Sequence, residues 1–359
     1  MAVPSLRRFA SVDALRGLTV AAMLLVNDPG DWAHVYAPLL HSQWDGCTPT
    51  DLVFPFFLFI VGVSIALGIV PRVEAGADPA PLQRELWIRA GKIIGIGLAI
   101  NLLGWWLLDK PHLRPWGVLQ RIGLCFLVAG LLATRPRARV QGALIVALLL
   151  GYWALLALTG GFAPWTNLAS RVDTALLGPL VYEFDSATGR GHDPEGLLST
   201  LPAIATTLIG LHAGGWLRRG RAHRLLPGAL GCLLVGWLWA AVVPWNKNLW
   251  TPSFVLWTAG WAMALLWLFH MLIDMRGWPA LGRSLGRHAL TVYVGAALME
   301  ILLDATGAGS AIYRVGFAQW LSPGAGPELA SLAFAMAFTG LWWGLAKTME
   351  RAGVVLIKA

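Results

Sequence analysis

Between the first two long apolar stretches of the chain lies its densest run of groups able to do chemistry. Asn27-Asp28-Pro29-Gly30-Asp31-Trp32 opens the run, and His41-Ser42-Gln43-Trp44-Asp45-Gly46-Cys47-Thr48-Pro49-Thr50-Asp51 closes it. His34, His41, Asp45 and Asp51 could serve as metal ligands, but their spacing matches no compact zinc pattern and no cysteine pair helps. No metal is expected. Ser42 adjoins His41 and no strained nucleophile elbow surrounds it, so a Ser/His/Asp triad is not expected either. What remains is a histidine with nearby carboxylates, a combination suited to general-base work near neutral pH.

The elements that must hold this cluster follow from composition. Of 359 residues, 57% are hydrophobic and only 13% charged, with 20 Trp and 41 Gly; an ordinary soluble domain is roughly 25% charged. A disordered chain is excluded by that balance. A water-soluble globule would lack the polar residues to cover its surface. Cys47, Cys125 and Cys232 are too few to frame a disulfide scaffold. Stretches long enough to cross a bilayer recur at about 12–28, 51–71, 87–108, 117–134, 139–160, 198–217, 224–243, 251–273, 287–304 and 328–347. The first contains Asp13 and Arg16 and no cleavage site follows it, so it does not read as a cleaved signal peptide. The expected fold is an all-α integral membrane protein. It is a single polytopic bundle of about ten transmembrane helices filling residues 1–359, with no soluble domain and a long outer loop at about 161–197.

Charge then sets the expected topology. With the N-terminus inside, 20 of the 27 Lys and Arg fall on the inner side, while 13 of the 19 acidic residues fall on the outer side. Basic residues are retained on the cytoplasmic face, which favours both termini inside. The net charge of +8 is therefore mainly a topology signal, and no nucleic-acid partner is needed to explain it. Asp13 and Arg16 share one face of the first helix and can pair. His212 and His270 lie within spans and read as packing residues, and Glu300 and Asp304 read as side chains snorkelling to water.

Several runs together resemble a known family. They are Ser11-Val12-Asp13-Ala14-Leu15-Arg16-Gly17, Val26-Asn27, His41-Ser42-Gln43-Trp44-Asp45-Gly46 and Asp51-Leu52-Val53-Phe54-Pro55. Gly117-Val118-Leu119-Gln120-Arg121-Ile122-Gly123 follows, then Asp193-Pro194-Glu195-Gly196-Leu197-Leu198-Ser199-Thr200. Pro244-Trp245-Asn246-Lys247-Asn248-Leu249-Trp250 and Val292-Tyr293-Val294-Gly295 complete the set. In this order they resemble the heparan-α-glucosaminide N-acetyltransferases and their bacterial relatives. The resemblance implies a multi-pass acyltransferase that carries acetyl from acetyl-CoA across a membrane to a glucosamine amine, and it implies a homodimer. The family's active histidine falls on His41, its companion asparagine on Asn27, and its Gln-Arg pair on Gln120 and Arg121. Two departures stand out. The lysosomal members carry a lumenal domain before the bundle, and they have a histidine after the Val-Tyr-Val-Gly run where this chain has Ala296. His288 lies toward the opposite end of that helix.

The chemistry of the residues agrees with that resemblance. An ammonium acceptor must lose a proton before it attacks a thioester, and His41 is the base at hand. Asn27 offers an amide N–H to the developing oxyanion. Asp193 and Glu195, with the acidic outer face, favour an aminosugar cation. Trp44, Asp45, Asn246 and Asn248 are also assigned to the acceptor, and Trp44, Trp245 and Trp250 can stack on a sugar or on adenine. Arg121, with Gln120, Arg114 and Lys247, is assigned to the CoA phosphates, since a guanidinium can fork two donors onto one. The partners expected are acetyl-CoA, an amino sugar or glycan and membrane lipid. The expected setting is a bacterial inner membrane with the acceptor side periplasmic. Two alternatives are an O-acyltransferase acting on an envelope glycan and a transporter of glycan or lipid. No repeat across two halves supports the transporter.

Overall fold

A computed structural model describes residues 8–135 and 137–357 of the chain. Along it run α1 (Ala10–Asn27), α2 (Val53–Gly68), α3 (Pro79–Leu107), α4 (Val118–Ala133) and α5 (Ala138–Leu158). Next come α6 (Leu168–Leu177), α7 (Thr200–Arg218), α8 (Leu225–Trp239), α9 (Pro252–Phe269) and α10 (Arg283–Arg287). The series ends with α11 (Ala289–Ala305), α12 (Ala308–Ala325) and α13 (Pro327–Ala352). Local rules set several starts. Asp78 accepts from the Ala80 amide at 3.0 Å, with Pro79 in the first turn where its missing N–H costs nothing. Asn167 caps α6 in the same way through the Ser170 amide.

The core centres on α2 against α7. A Cβ on Gly62 would lie 1.9 Å from the Thr207 carbonyl oxygen, and one on Gly210 would lie 2.0 Å from that of Phe59. These two helices are thus in backbone contact, the small-residue packing expected where lipid removes the hydrophobic drive for association. Leu58, Phe59, Val63, Ala203, Leu208 and Ala213 are buried along the seam. By contrast, Val146, Leu150 and Leu158 of α5 and Leu230, Leu234 and Trp237 of α8 are exposed, as befits an outer ring facing lipid.

A helix stands on each of the ten predicted stretches, but length divides them. Among the described residues, six helical stretches are long and apolar enough to cross a membrane: Ala10–Asn27, Thr50–Glu74, Pro79–Leu107, Ala138–Leu158, Pro252–Met275 and Pro327–Ala352. The pair α11 and α12, bent by 87°, adds a seventh if the two are counted as one span. At 1.5 Å per residue α4 reaches roughly 24 Å and α8 roughly 22 Å, short of a hydrocarbon core about 30 Å thick. The middle of α7 carries His212, Thr206 and Thr207, which lowers its apolarity. The expected outer loop at about 161–197 is also structured. It holds α6 and a small antiparallel hairpin, β1 (Glu183–Asp185) with β2 (Arg190–His192), in which Phe184 faces Gly191. The hairpin is a small departure from an all-α fold.

Candidate active site

The site is built from the loop between α1 and α2. The turn Thr50–Leu52 buries the Asp51 side chain completely, and its Oδ1 lies 2.7 Å from His41 Nδ1. Its Oδ2 accepts from the backbone amides of Thr48 at 2.9 Å and Ser42 at 3.1 Å, and from the Thr48 hydroxyl at 3.1 Å. Such a carboxylate accepts a hydrogen bond from Nδ1–H, which assigns the tautomer and leaves the lone pair on Nε2. The His41 side chain is 46% exposed, so its outer nitrogen is reachable while its inner one is anchored.

A second loop, 244–251, delivers a cation to that nitrogen. Lys247 Nζ lies 3.1 Å from His41 Nε2 and 3.3 Å from Nδ1. Two bonds staple the loops together: Asn246 Nδ2 donates to Asp45 Oδ1 at 3.0 Å, and the Gly46 amide donates to the Trp245 carbonyl at 2.7 Å. Gly46 sits at φ +124°, where a side chain would be strained. Asn246 also accepts from the Leu249 amide, and the Thr251 hydroxyl closes on the Pro244 carbonyl. Burial lowers the pKa of Lys247, against the pull of Glu195 and Asp51.

His41, Lys247, Asn27, Asn248 and Glu195 line one cavity of about 350 Å³, together with Tyr182 and Tyr293. A second cavity of about 380 Å³ abuts it, and Phe57, Leu119, Ile122 and Leu290 line both. The far part of the second cavity is basic, lined by Arg16, Arg72 and Arg89. Arg16 is committed, donating to Asp13, to Ser64 and to the Gly286 carbonyl. Arg72 and Arg89 share one carboxylate, Glu85, at 2.8 and 3.2 Å, and their side chains are 37% and 40% exposed. Arg84 and Lys92 lie beside them.

The remaining predicted residues are structural neighbours of this site. Arg114 is clamped by both Asp193 and Glu195, with contacts of 2.5 and 2.6 Å. Burial opposes its charge, but Glu195 and Asp193 together hold its pKa above the usual arginine value. Its guanidinium also lies over the Tyr182 ring, and Asp193 accepts from the Tyr182 amide. Arg121 is fully buried, donates to the Gly196 carbonyl and Ser199, and stacks 5.1 Å from the Trp250 ring. Gln120 is buried next to it. Trp44 donates to the Phe162 carbonyl and meets His192 edge-on at 5.0 Å. Asp45 and Asn246 bond each other. Ala296 packs in an apolar cluster with Val20, Leu24 and Phe338, and His288 is buried at the other end of α11. Among the described residues no group of three His, Cys, Asp or Glu side chains could hold a metal.

Four features were missed in the sequence: the anchoring of His41 by Asp51, the placement of Lys247 on the base, Tyr293 in the cavity wall, and the basic rim of the second cavity. Asp51 had a signal, since it closes the polar run just before α2. Arg72 and Arg89 had none beyond net charge, because the same residues serve as topology signals.

Comparison with known proteins gives the chain's family. The family model described as "Heparan-alpha-glucosaminide N-acetyltransferase, catalytic" matches residues 8–233, more than half of the chain, and covers His41, Asp51 and Arg121. The human protein named heparan-alpha-glucosaminide N-acetyltransferase is 28% identical, over 82% of this chain and 53% of its own length. Its mouse counterpart is 27% identical, over 82% and 54%. The chain spans about half the length of these curated relatives. With the matched region running from α1 into α8, the chain belongs to the heparan-α-glucosaminide N-acetyltransferase catalytic family.

Proposed function

We propose that this protein is an acetyl-CoA-dependent acetyltransferase of membranes, moving acetyl onto the amine of a glucosamine-type sugar. The observation that carries the proposal is the Asp51–His41 pair, with His41 on the wall of a cavity that shares four lining residues with a second, basic-rimmed one. His41 is the general base. The acceptor's ammonium gives its proton to Nε2, and the free amine attacks the thioester carbonyl. The carbon–sulfur bond breaks as the amide forms, and the amine's second proton passes from the adduct to the departing CoA sulfur. Asn27, on the wall of the same cavity, donates its amide N–H to the oxyanion of the tetrahedral intermediate. Donor and acceptor meet in one complex, so proximity supplies much of the rate without an acetyl-histidine stage.

The donor is best accommodated with its acetyl end at His41, its narrow arm along the shared apolar wall, and its phosphates at Arg72 and Arg89. Those two arginines keep donors in reserve, whereas Arg114 is held by two carboxylates and Arg121 is sealed from solvent. The acceptor then arrives from the His41 end, past Glu195 and Asn248. In the topology that best fits the charge distribution, ten helices cross the membrane with both termini cytoplasmic, the arginine rim faces the cytoplasm and His41 faces the periplasm of a bacterial inner membrane. Lipid surrounds the bundle, and a homodimer is the assembly proposed.

The test is a transfer assay on purified protein with labelled acetyl-CoA and a panel of amino and neutral sugars. Labelled amide on glucosamine, with none on glucose, is the expected result. Labelled ester on a neutral sugar would replace this reading with O-acylation, and no labelled sugar at all would remove it.

A further inference from the structure

In the resting site the ε-amine of Lys247 stands where an acceptor amine must stand. It lies 3.1 Å from His41 Nε2, within reach of the nitrogen that would take the acceptor's proton, and it lines the same cavity as Asn27. Its position is built rather than incidental, because the Asp45–Asn246 and Gly46–Trp245 bonds hold the two loops in register. We infer that Lys247 is a self-acetylation site: with acetyl-CoA bound and no sugar present, its ε-amine takes the acetyl group. This inference rests on the proposed use of acetyl-CoA as donor.

The step balances. The Lys247 ammonium passes one proton to His41 Nε2, and the neutral Nζ attacks the thioester carbonyl carbon. The C–N bond forms and the C–S bond breaks, the second amine proton passes from the adduct to the departing CoA sulfur, and His41 then releases the first proton to water. Burial favours the neutral amine that this attack needs. The product is a stable amide. It removes the charge of Lys247 and leaves an acetamide beside the base, where it blocks the acceptor's amine. Sugar, when present, competes for the same nitrogen of His41. The modification is therefore a brake that sets when donor is plentiful and acceptor is scarce.

The experiment incubates the full-length purified protein with labelled acetyl-CoA and no sugar, and maps the label by peptide mass spectrometry. A parallel arm adds glucosamine to the same preparation. The expected result is one acetyl group on Lys247, stable to hydroxylamine, suppressed by glucosamine and absent in Lys247→Arg. The rate should fall on the order of 10²-fold in His41→Ala, since the base is lost. Thermal melting of both variants checks that they are folded. If glucosamine is acetylated while Lys247 stays unmodified, the inference is overturned and the acetyl-transfer reading stands. Label on His41 that hydroxylamine removes would overturn it in favour of a two-step mechanism. Label spread over Lys92, Lys110 and Lys347 and undiminished in His41→Ala would overturn it as uncatalysed chemistry. If neither sugar nor protein is labelled, the acetyl-CoA reading fails and the inference falls with it.

Discussion

An imidazole whose Nδ1–H is held by a buried carboxylate offers its Nε2 lone pair to whatever enters the cavity, and Asp51 gives His41 that polarity. Asp51→Asn keeps the shape but presents an amide that can donate to Nδ1, which favours the wrong tautomer. It should lower kcat by on the order of 10²- to 10⁴-fold with little change in thermal melting. His41→Ala should abolish turnover with acetyl-CoA binding retained. Asn27→Ala should lower kcat by on the order of 10²- to 10³-fold, as loss of an oxyanion donor does. Steady-state kinetics checks all three. A second residue tests the long loop at about 161–197. Burial pushes the Asp173 carboxyl up to about 6, and its Oδ2 finds no hydrogen-bond partner among the described residues. A carboxyl with a raised folded pKa contributes stability below its unfolded value, near 3.8, and loses that contribution as pH rises to about 6. The gain in stability of Asp173→Asn over the parent should therefore grow from pH 4 to pH 6 and level off above, by on the order of 3 kcal/mol. Melting curves across that range measure it. His41 and Asn27 were legible because they flank a polar run between apolar stretches. Lys247 was not legible as a neighbour of His41, because 206 residues separate them and only the stapled loops bring them together.

Helices and loops divide the work at the next scale. Apolar runs made the helical stretches readable, since lipid forces backbone polar groups to pair within each segment. Their lengths were less readable: α4 ends after Ala133, and α8 ends after Trp239 although Ala240-Ala241-Val242-Val243 continue its apolar run. The amphipathic α6 and the three-residue strands were hidden for a different reason. They are held by tertiary contacts, such as Ser170 on His192 and Asp173 on the Leu197 amide. Arg114 illustrates what an element-level partner changes. From the sequence it was a phosphate candidate, and in the fold it neutralises Asp193 and Glu195 and fixes the segment that carries Glu195 into the cavity wall. Arg114→Ala leaves two buried carboxylates without their cation, which should cost on the order of 3–5 kcal/mol of stability. Its effect on catalysis should appear in the KM for the sugar, and the Kd for acetyl-CoA should stay unchanged in protein that remains folded. Separate binding measurements for donor and acceptor distinguish the two roles.

At the scale of the whole molecule, two cavities share a wall of Phe57, Leu119, Ile122 and Leu290, with the base on the first and arginines on the second. Positive-inside reasoning found those arginines and assigned them to topology. That they also line a cavity depends on how α2, α3 and α4 pack, which no local pattern reports. Arg72→Ala and Arg89→Ala should each raise the acetyl-CoA Kd by on the order of tenfold, about 1.4 kcal/mol, and more at low salt than at high. In the proposed reading, in which the donor reaches across the shared wall, donor and acceptor need never share a compartment. The direct measurement seals glucosamine inside vesicles carrying the purified protein and adds labelled acetyl-CoA only outside. Labelled N-acetylglucosamine should accumulate inside, and vesicles carrying His41→Ala should form none. Product that forms only when donor and acceptor are on the same side would contradict transfer through the bundle.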